Sequence, residues 1–273
     1  MKYILAFLFI FAIILAEMIF IRHERRQDSE IRKLRDELNL LRAKTENNSE
    51  AESFTRNCLT GEGQNYLAIG NSITLHTTCN YWWANCGMAA SEPSKDYFHL
   101  VTEELRKHNY TVNSCVCSSY VWEIITHDRY EALTLIDSYL NENINIITIQ
   151  LGENVSDLSN FESDYTYLIN HIKQKCQNAQ IISVSDFWNY GERDEMKRRA
   201  AEKCGIKIAD ISAIKENPVY MCGLDTKVIG DDGEKHSVKH EGVAKHPGDK
   251  GMRYIADRII ECINFSELQR KTN

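Results

Sequence analysis

From residue 64 onward the chain alternates short apolar runs with longer stretches whose apolar residues recur every three or four positions. The runs at 66–69, 110–116, 145–151, 180–185 and 206–211 read as buried parallel strands. The helical patterns at 95–108, 129–142, 160–175, 192–204 and 248–263 lie between or after them. This rhythm predicts an α/β domain, a three-layer α/β/α sandwich whose central parallel sheet carries helices on both faces. Such sheets bind ligands outside the carboxyl ends of their strands. Ser72, Gly152 and Asn154 all fall just after predicted strand ends, so the fold sets them along one rim.

The front of the chain follows a different pattern. Residues 3–21 are apolar except for Glu17. At a rise of roughly 1.5 Å per residue they nearly span a hydrocarbon core of about 30 Å, which predicts an uncleaved transmembrane anchor over 1–21. Ala12 and Ala16 lie inside the run instead of marking a cleavage site after it. Residues 22–44 read as a charged helix in which Ile31, Leu34, Leu38 and Leu41 form a short a/d seam. That is a coiled-coil signal of about two heptads, below the three to four a coiled coil usually needs, so the segment reads as a solvated helical stalk, with weak self-association as an open alternative. Residues 45–55 are polar and read as a linker. The organisation expected is anchor 1–21, stalk and linker 22–63, a catalytic-type domain 64–265 and a tail 266–273.

Composition narrows the function classes. A length of 273 residues suits one generous domain with appendages. A net charge of -7 and the lack of a basic, aromatic-rich stretch give no footprint for nucleic acid. The cysteines at 58, 79, 86, 115, 117, 176, 204, 222 and 262 form no zinc-like spacing and read mostly as buried thiols, with a Cys79–Cys86 disulfide as one open alternative. His236, His240 and His246 lack the spacing that sets two histidines on one helical face, so no metal and no cofactor are expected.

The candidate chemistry sits in two distant segments and one between them. Gly70-Asn71-Ser72 follows the first strand, and His246-Pro247-Gly248-Asp249 opens the last long helix. A serine past a strand end and a histidine before a helix are what an acyl-transfer site needs, one as nucleophile and one as base. Between them, Gly152-Glu153-Asn154 ends a central strand. There a glycine admits close approach to the backbone and an asparagine amide can donate to an oxyanion. The first segment lacks the second glycine of the lipase elbow and has no phosphate-loop lysine.

Taken in order, these segments resemble the SGNH hydrolase superfamily, the GDSL-like esterases. That family carries Gly-Asp-Ser near its start, Gly-x-Asn-Asp after a middle strand and Asp-x-x-His-Pro before its last helix. The matches are Gly70-Asn71-Ser72, Gly152-Glu153-Asn154 and His246-Pro247. The resemblance implies a flavodoxin-like sandwich and hydrolysis of small acyl esters, with carbohydrate O-acetyl groups as the leading substrate. It implies Ser72 as nucleophile, His246 as base, and Gly152 and Asn154, with the Ser72 amide, around the oxyanion. Asn71 and Val155 replace two family aspartates, and Val243 stands where the orienting acid belongs. Glu241 is the nearest carboxylate; Asp231, Asp232 or a backbone carbonyl are alternatives. Phe187 and Trp188, near a strand end, are candidate substrate walls, and Trp122-Glu123, near the end of the second strand, could line the same rim.

Two other functions fit the same sequence, a glycan-binding domain that has lost catalysis and an anchored scaffold assembling through its stalk. The basic residues after the anchor favour a cytoplasmic domain, whereas a surface glycan substrate favours the outside; the expectation adopted is an extracytoplasmic domain.

Overall fold

Strand β1 (Gln64–Gly70) is buried along its whole length and pairs on both sides, which explains its unbroken apolar run. On one side lies β2 (Val112–Ser118) and on the other β3 (Ile146–Gln150), followed outward by β4 (Gln180–Val184) and β5 (Lys207–Ala209). All four pairings are parallel, and the order is β2-β1-β3-β4-β5. The order reverses between β1 and β3, and this switch point is where open parallel sheets leave a crevice for ligands. Our structure of the chain is a computed structural model that describes residues 49–60, 63–108, 111–125 and 129–272, with a few positions between 31 and 38.

Side chains alternate across the sheet with the period of two that strands impose. Leu67, Ile69, Ile147 and Ile149 face one core, shared with α6 (Phe161–Lys175) and α7 (Arg193–Cys204). Tyr66, Ala68 and Ile146 face the other, shared with α2 (Tyr97–Lys107) and α9 (Asp249–Cys262). The two cores make the sheet the middle layer of a sandwich, as the hydrophobic pattern predicts. A helix α10 (Phe265–Thr272) occupies the expected tail and buries Leu268 in the second core.

Two parts depart from the sequence reading. Residues 49–58, within the segment read as linker, are helical (α1), and Ala51, Phe54 and Cys58 are buried in the first core. Three inward residues at helical spacing outweigh a polar outer face, since burying a phenylalanine side chain alone contributes ~2–3 kcal/mol. The helix expected over 129–142 is two single turns, α4 (Arg129–Ala132) and α5 (Thr134–Asp137), joined at Leu133 by i to i+3 hydrogen bonds. All nine cysteines are free thiols; backbone bonds from His76 N to Cys86 O and from Cys79 N to Trp82 O hold the loop that a Cys79–Cys86 disulfide would have closed.

Ile31 and Leu38 of the stalk seam are helical and about half-exposed, whereas Leu34, Leu41 and the apolar segment 3–21 lie outside the described residues. No helix of the described residues is long and apolar enough to cross a membrane.

A third, smaller core lies beside the rim. It gathers Trp82, Met88, Val228, Val238, Val243 and Ala244 from the loop after β1, from a hairpin of β6 (Lys227–Ile229) and β7 (Lys235–Ser237), and from the short helix α8 (Glu241–Ala244). Its role is positional: α8 delivers the chain to His246.

Candidate active site

The turn after β1 is built around Asn71. Its carbonyl accepts from Thr74 N and Leu75 N, both at 2.9 Å, and its side-chain Oδ1 accepts from Ile73 N at 3.0 Å. Met88 N donates to Ser72 O at 2.8 Å and ties the turn to the third core. Gly70 is required by packing, because a Cβ there would lie 1.8 Å from Thr74 Oγ1. The turn leaves Ser72 half-buried with its hydroxyl facing a cavity of about 950 Å³.

Ser72 Oγ and His246 Nε2 are 2.9 Å apart, although the two residues lie 174 positions apart in sequence. On the far side of the ring, Nδ1 lies 2.7 Å from Gly242 O. A carbonyl only accepts, so in the neutral ring Nδ1 carries the proton and Nε2 presents its lone pair to the serine hydroxyl. Burial pushes the imidazole pKa down to about 4; the Gly242 carbonyl opposes this, and His76 and His240 add to it. Trp188 packs edge-on against the ring, with centroids 4.8 Å apart, and its Nε1 donates to Lys245 O at 3.2 Å. A hydroxyl bonded to the free nitrogen of a neutral imidazole is set up to lose its proton as the oxygen attacks an electrophile.

Among the described residues no carboxylate is bonded to this ring. Glu241 begins α8 and points to solvent. Asp231 accepts from Asn85 and Asp232 bonds His236. Val243 faces the third core, so the family's acid position is occupied by packing. The ring is held by a backbone carbonyl, one of the alternatives the sequence left open.

Asn154 lines the same cavity as Ser72 and His246, together with Ser118 at the end of β2. Its Nδ2 donates to Glu123 Oε2 at 2.5 Å, which uses one of its two amide hydrogens. Gly152 takes φ +122°, a conformation essentially closed to other residues, but its N–H donates to Glu123 Oε1. The expected place of Gly152 around an oxyanion is therefore corrected: its only N–H is already committed. Ser72 N has no acceptor among the described residues.

The candidate substrate walls are corrected too. Trp122 and Phe187 are buried, Trp122 against Phe161 and Tyr165 in the first core and Phe187 in the second, and Trp188 backs the imidazole instead of lining the cavity. The cavity is lined by Tyr81, His76, Asn85, His99 and Asn113, among others. His240 also lines it, stacked on Tyr81 with centroids 4.4 Å apart, and His236 stacks on Trp83. No group of three metal-ligating side chains occurs among the described residues.

A buried ionic cluster, not anticipated from the sequence, braces the site from below. Arg193 Nε donates to Asp186 Oδ2 at 2.5 Å and Nη2 to Glu153 Oε2 at 3.1 Å, while Lys197 Nζ donates to Asp186 Oδ1 at 2.8 Å. Arg193 Nη1 donates to Glu153 O at 2.8 Å, and Phe187 N donates to Glu153 Oε1 at 2.6 Å. The cluster thus clamps the loop that carries Asn154 to the loop that carries Trp188. Arg193 and Lys197 stand four apart on α7, a spacing that in sequence reads as a solvated charged face.

No protein-family model and no curated protein matches the chain. Solved structures similar to it include phospholipase A1 from Streptomyces albidoflavus, at 12% identity and a TM-score of 0.46 over 74% of this chain and 100% of that one. A family two carbohydrate esterase from Clostridium thermocellum is similar at 14% identity and a TM-score of 0.45, over 72% of this chain and 62% of that one. A two-domain esterase active on acetylated mannans is similar at 15% identity and a TM-score of 0.47, over 80% of this chain and 53% of that one. At such identities these likenesses say nothing of chemistry, which rests on Ser72, His246 and the groups that hold them.

Proposed function

We propose that the chain is a divergent serine esterase of the SGNH type that hydrolyses small acyl esters, O-acetyl groups on carbohydrate first among them. The observation that carries this reading is the 2.9 Å contact from Ser72 Oγ to His246 Nε2, with Nδ1 held by Gly242 O and the pair open to a large cavity that Asn154 also lines. The same contact favours an enzyme over a binding module or a scaffold, neither of which needs it.

In this mechanism Ser72 Oγ attacks the ester carbonyl while Nε2 takes the hydroxyl proton. The imidazolium keeps its Nδ1–H on the Gly242 carbonyl. The oxygen of the tetrahedral intermediate gathers negative charge and accepts from Ser72 N and from the second Nδ2 hydrogen of Asn154. Collapse expels the alcohol, which takes the proton from Nε2 and leaves an acyl-Ser72. Water, deprotonated by the same nitrogen, then frees the acid and restores the serine. The polar side chains around the cavity, such as Asn85 and His99, favour a hydroxyl-rich alcohol.

Steady-state hydrolysis of 4-nitrophenyl acetate and of acetylated oligosaccharides tests the proposal. Wild-type protein should release acetate from both. Ser72→Ala and His246→Ala should each lose several orders of magnitude in kcat, with the double variant costing little more, because the two act as one unit. Full activity in Ser72→Ala would refute it.

A further inference from the structure

Glu123 stands on the short helix α3 (Tyr120–Ile124), is 2% exposed, and has no ion-pair partner among the described residues. A buried carboxylate is costly unless hydrogen bonds satisfy it. Here three N–H donors from two separate loops converge on it. Asn71 Nδ2 donates to Oε1 at 3.0 Å, Gly152 N donates to the same oxygen, and Asn154 Nδ2 donates to Oε2 at 2.5 Å. Burial pushes the Glu123 pKa up, and the bonds from Asn154, Asn71 and Gly152 pull it back.

A carboxylate that only accepts dictates how both asparagine amides face. Asn71 must turn its amino group to Glu123, which sends its Oδ1 to Ile73 N, the residue after the nucleophile. Asn154 must do the same, which spends one amide hydrogen on Glu123 and leaves the second for the cavity it lines. An aspartate at 71 would set two carboxylates against each other. The asparagine at 71 and the glutamate at 123 therefore form a matched pair.

We infer that Glu123 is a positioning residue that locks the Ser72 turn and the Asn154 amide into one rigid frame around the oxyanion. The inference rests on the esterase reading. Glu123 does not touch the substrate, and its effect passes through Asn71, Gly152 and Asn154. A glutamine at 123 presents one oxygen and one amino group to three donors, so at least one donor must turn away.

The test is the kinetics of the purified full chain on 4-nitrophenyl acetate. Glu123→Gln should lower kcat by roughly 10- to 100-fold, less than the ~10²–10³ that follows outright loss of an oxyanion donor, with KM changed by less than about 3-fold. Its loss should not add to that of Asn154→Ala: the double variant should be little slower than the slower single. A kcat within about 2-fold of wild type, or full additivity with Asn154→Ala, would overturn the inference. If Glu123→Gln fails to fold, Asn71→Asp serves in its place. It should be slow at neutral pH and regain rate on acidification, as two facing carboxylates come to share one proton. A wild-type rate and pH profile in Asn71→Asp would overturn the inference. An active wild type with an equally active Glu123→Gln sinks this inference alone, whereas a wild type that neither hydrolyses ester nor labels at Ser72 with a fluorophosphonate sinks the esterase reading and this with it.

Discussion

The imidazole of His246 gives the account a sharp pH prediction. Burial holds its pKa at about 4 against an ordinary value of 6.5. The base works only when neutral. At pH 5 a group with that pKa is ~90% neutral, whereas an unperturbed histidine would be only ~3% neutral. The predicted kcat/KM on 4-nitrophenyl acetate is therefore nearly flat from pH 8 to pH 5 and half-maximal near pH 4. A titration of ring-labelled histidine, assigned with His246→Ala, should show the same midpoint. The sign for stability follows. Between about 4 and 6.5 the unfolded chain binds the extra proton, so His246 costs stability as pH falls through this window, up to ~3 kcal/mol below it. An acid limb at 6.5 or above, as expected if a carboxylate supported the ring, would refute the reasoning.

Three further outcomes follow from named contacts. Because Gly242 O holds Nδ1, Glu241→Gln should cost less than ~10-fold in kcat, against the ~10⁴ that follows loss of a true triad acid; a larger loss in a folded variant would reinstate Glu241. At Gly152, φ is +122° and a Cβ would meet Phe161 Cζ at 3.1 Å and Lys197 Cδ at 3.3 Å. Gly152→Ala should therefore lose ~1–3 kcal/mol in urea denaturation and lower kcat as well, and an unchanged midpoint would contradict the strain. Lys197→Met leaves the buried Asp186 with Arg193 as its remaining cation and should destabilise the fold by ~3–5 kcal/mol, which thermal melts would register; an unshifted melt would show that the ion cluster is dispensable.

What the sequence revealed of this site depended on whether the chemistry lies in side-chain type or in backbone. The strands were legible because a parallel sheet covered on both faces makes whole segments apolar, as in β1. Ser72, Asn154 and His246 were legible because each stands at a strand end or a helix start. The group that holds His246 was not, since a carbonyl such as that of Gly242 belongs to every residue and leaves no mark in the side chains. Arg193 and Lys197 were missed, and Glu123 was read only as a neighbour of Trp122 on the rim, because a buried charge and a solvated one are the same letter, and only the fold reveals the donors around them. Trp122 and Phe187 misled for the complementary reason: aromatic residues near a strand end serve a core as readily as a wall. Helix α1 was hidden by the Ser, Glu and Asn residues on its outer face, although Ala51, Phe54 and Cys58 already stood at helical spacing.

The central claim is that Ser72 is a nucleophile activated by His246, and covalent trapping tests it most directly. Intact-protein mass spectrometry after exposure to a fluorophosphonate, followed by peptide mapping, should show one adduct on wild-type protein, carried by Ser72. The adduct should be absent from Ser72→Ala and form far more slowly on His246→Ala. An adduct of equal yield on Ser72→Ala, or no adduct on folded wild-type protein, would contradict the account.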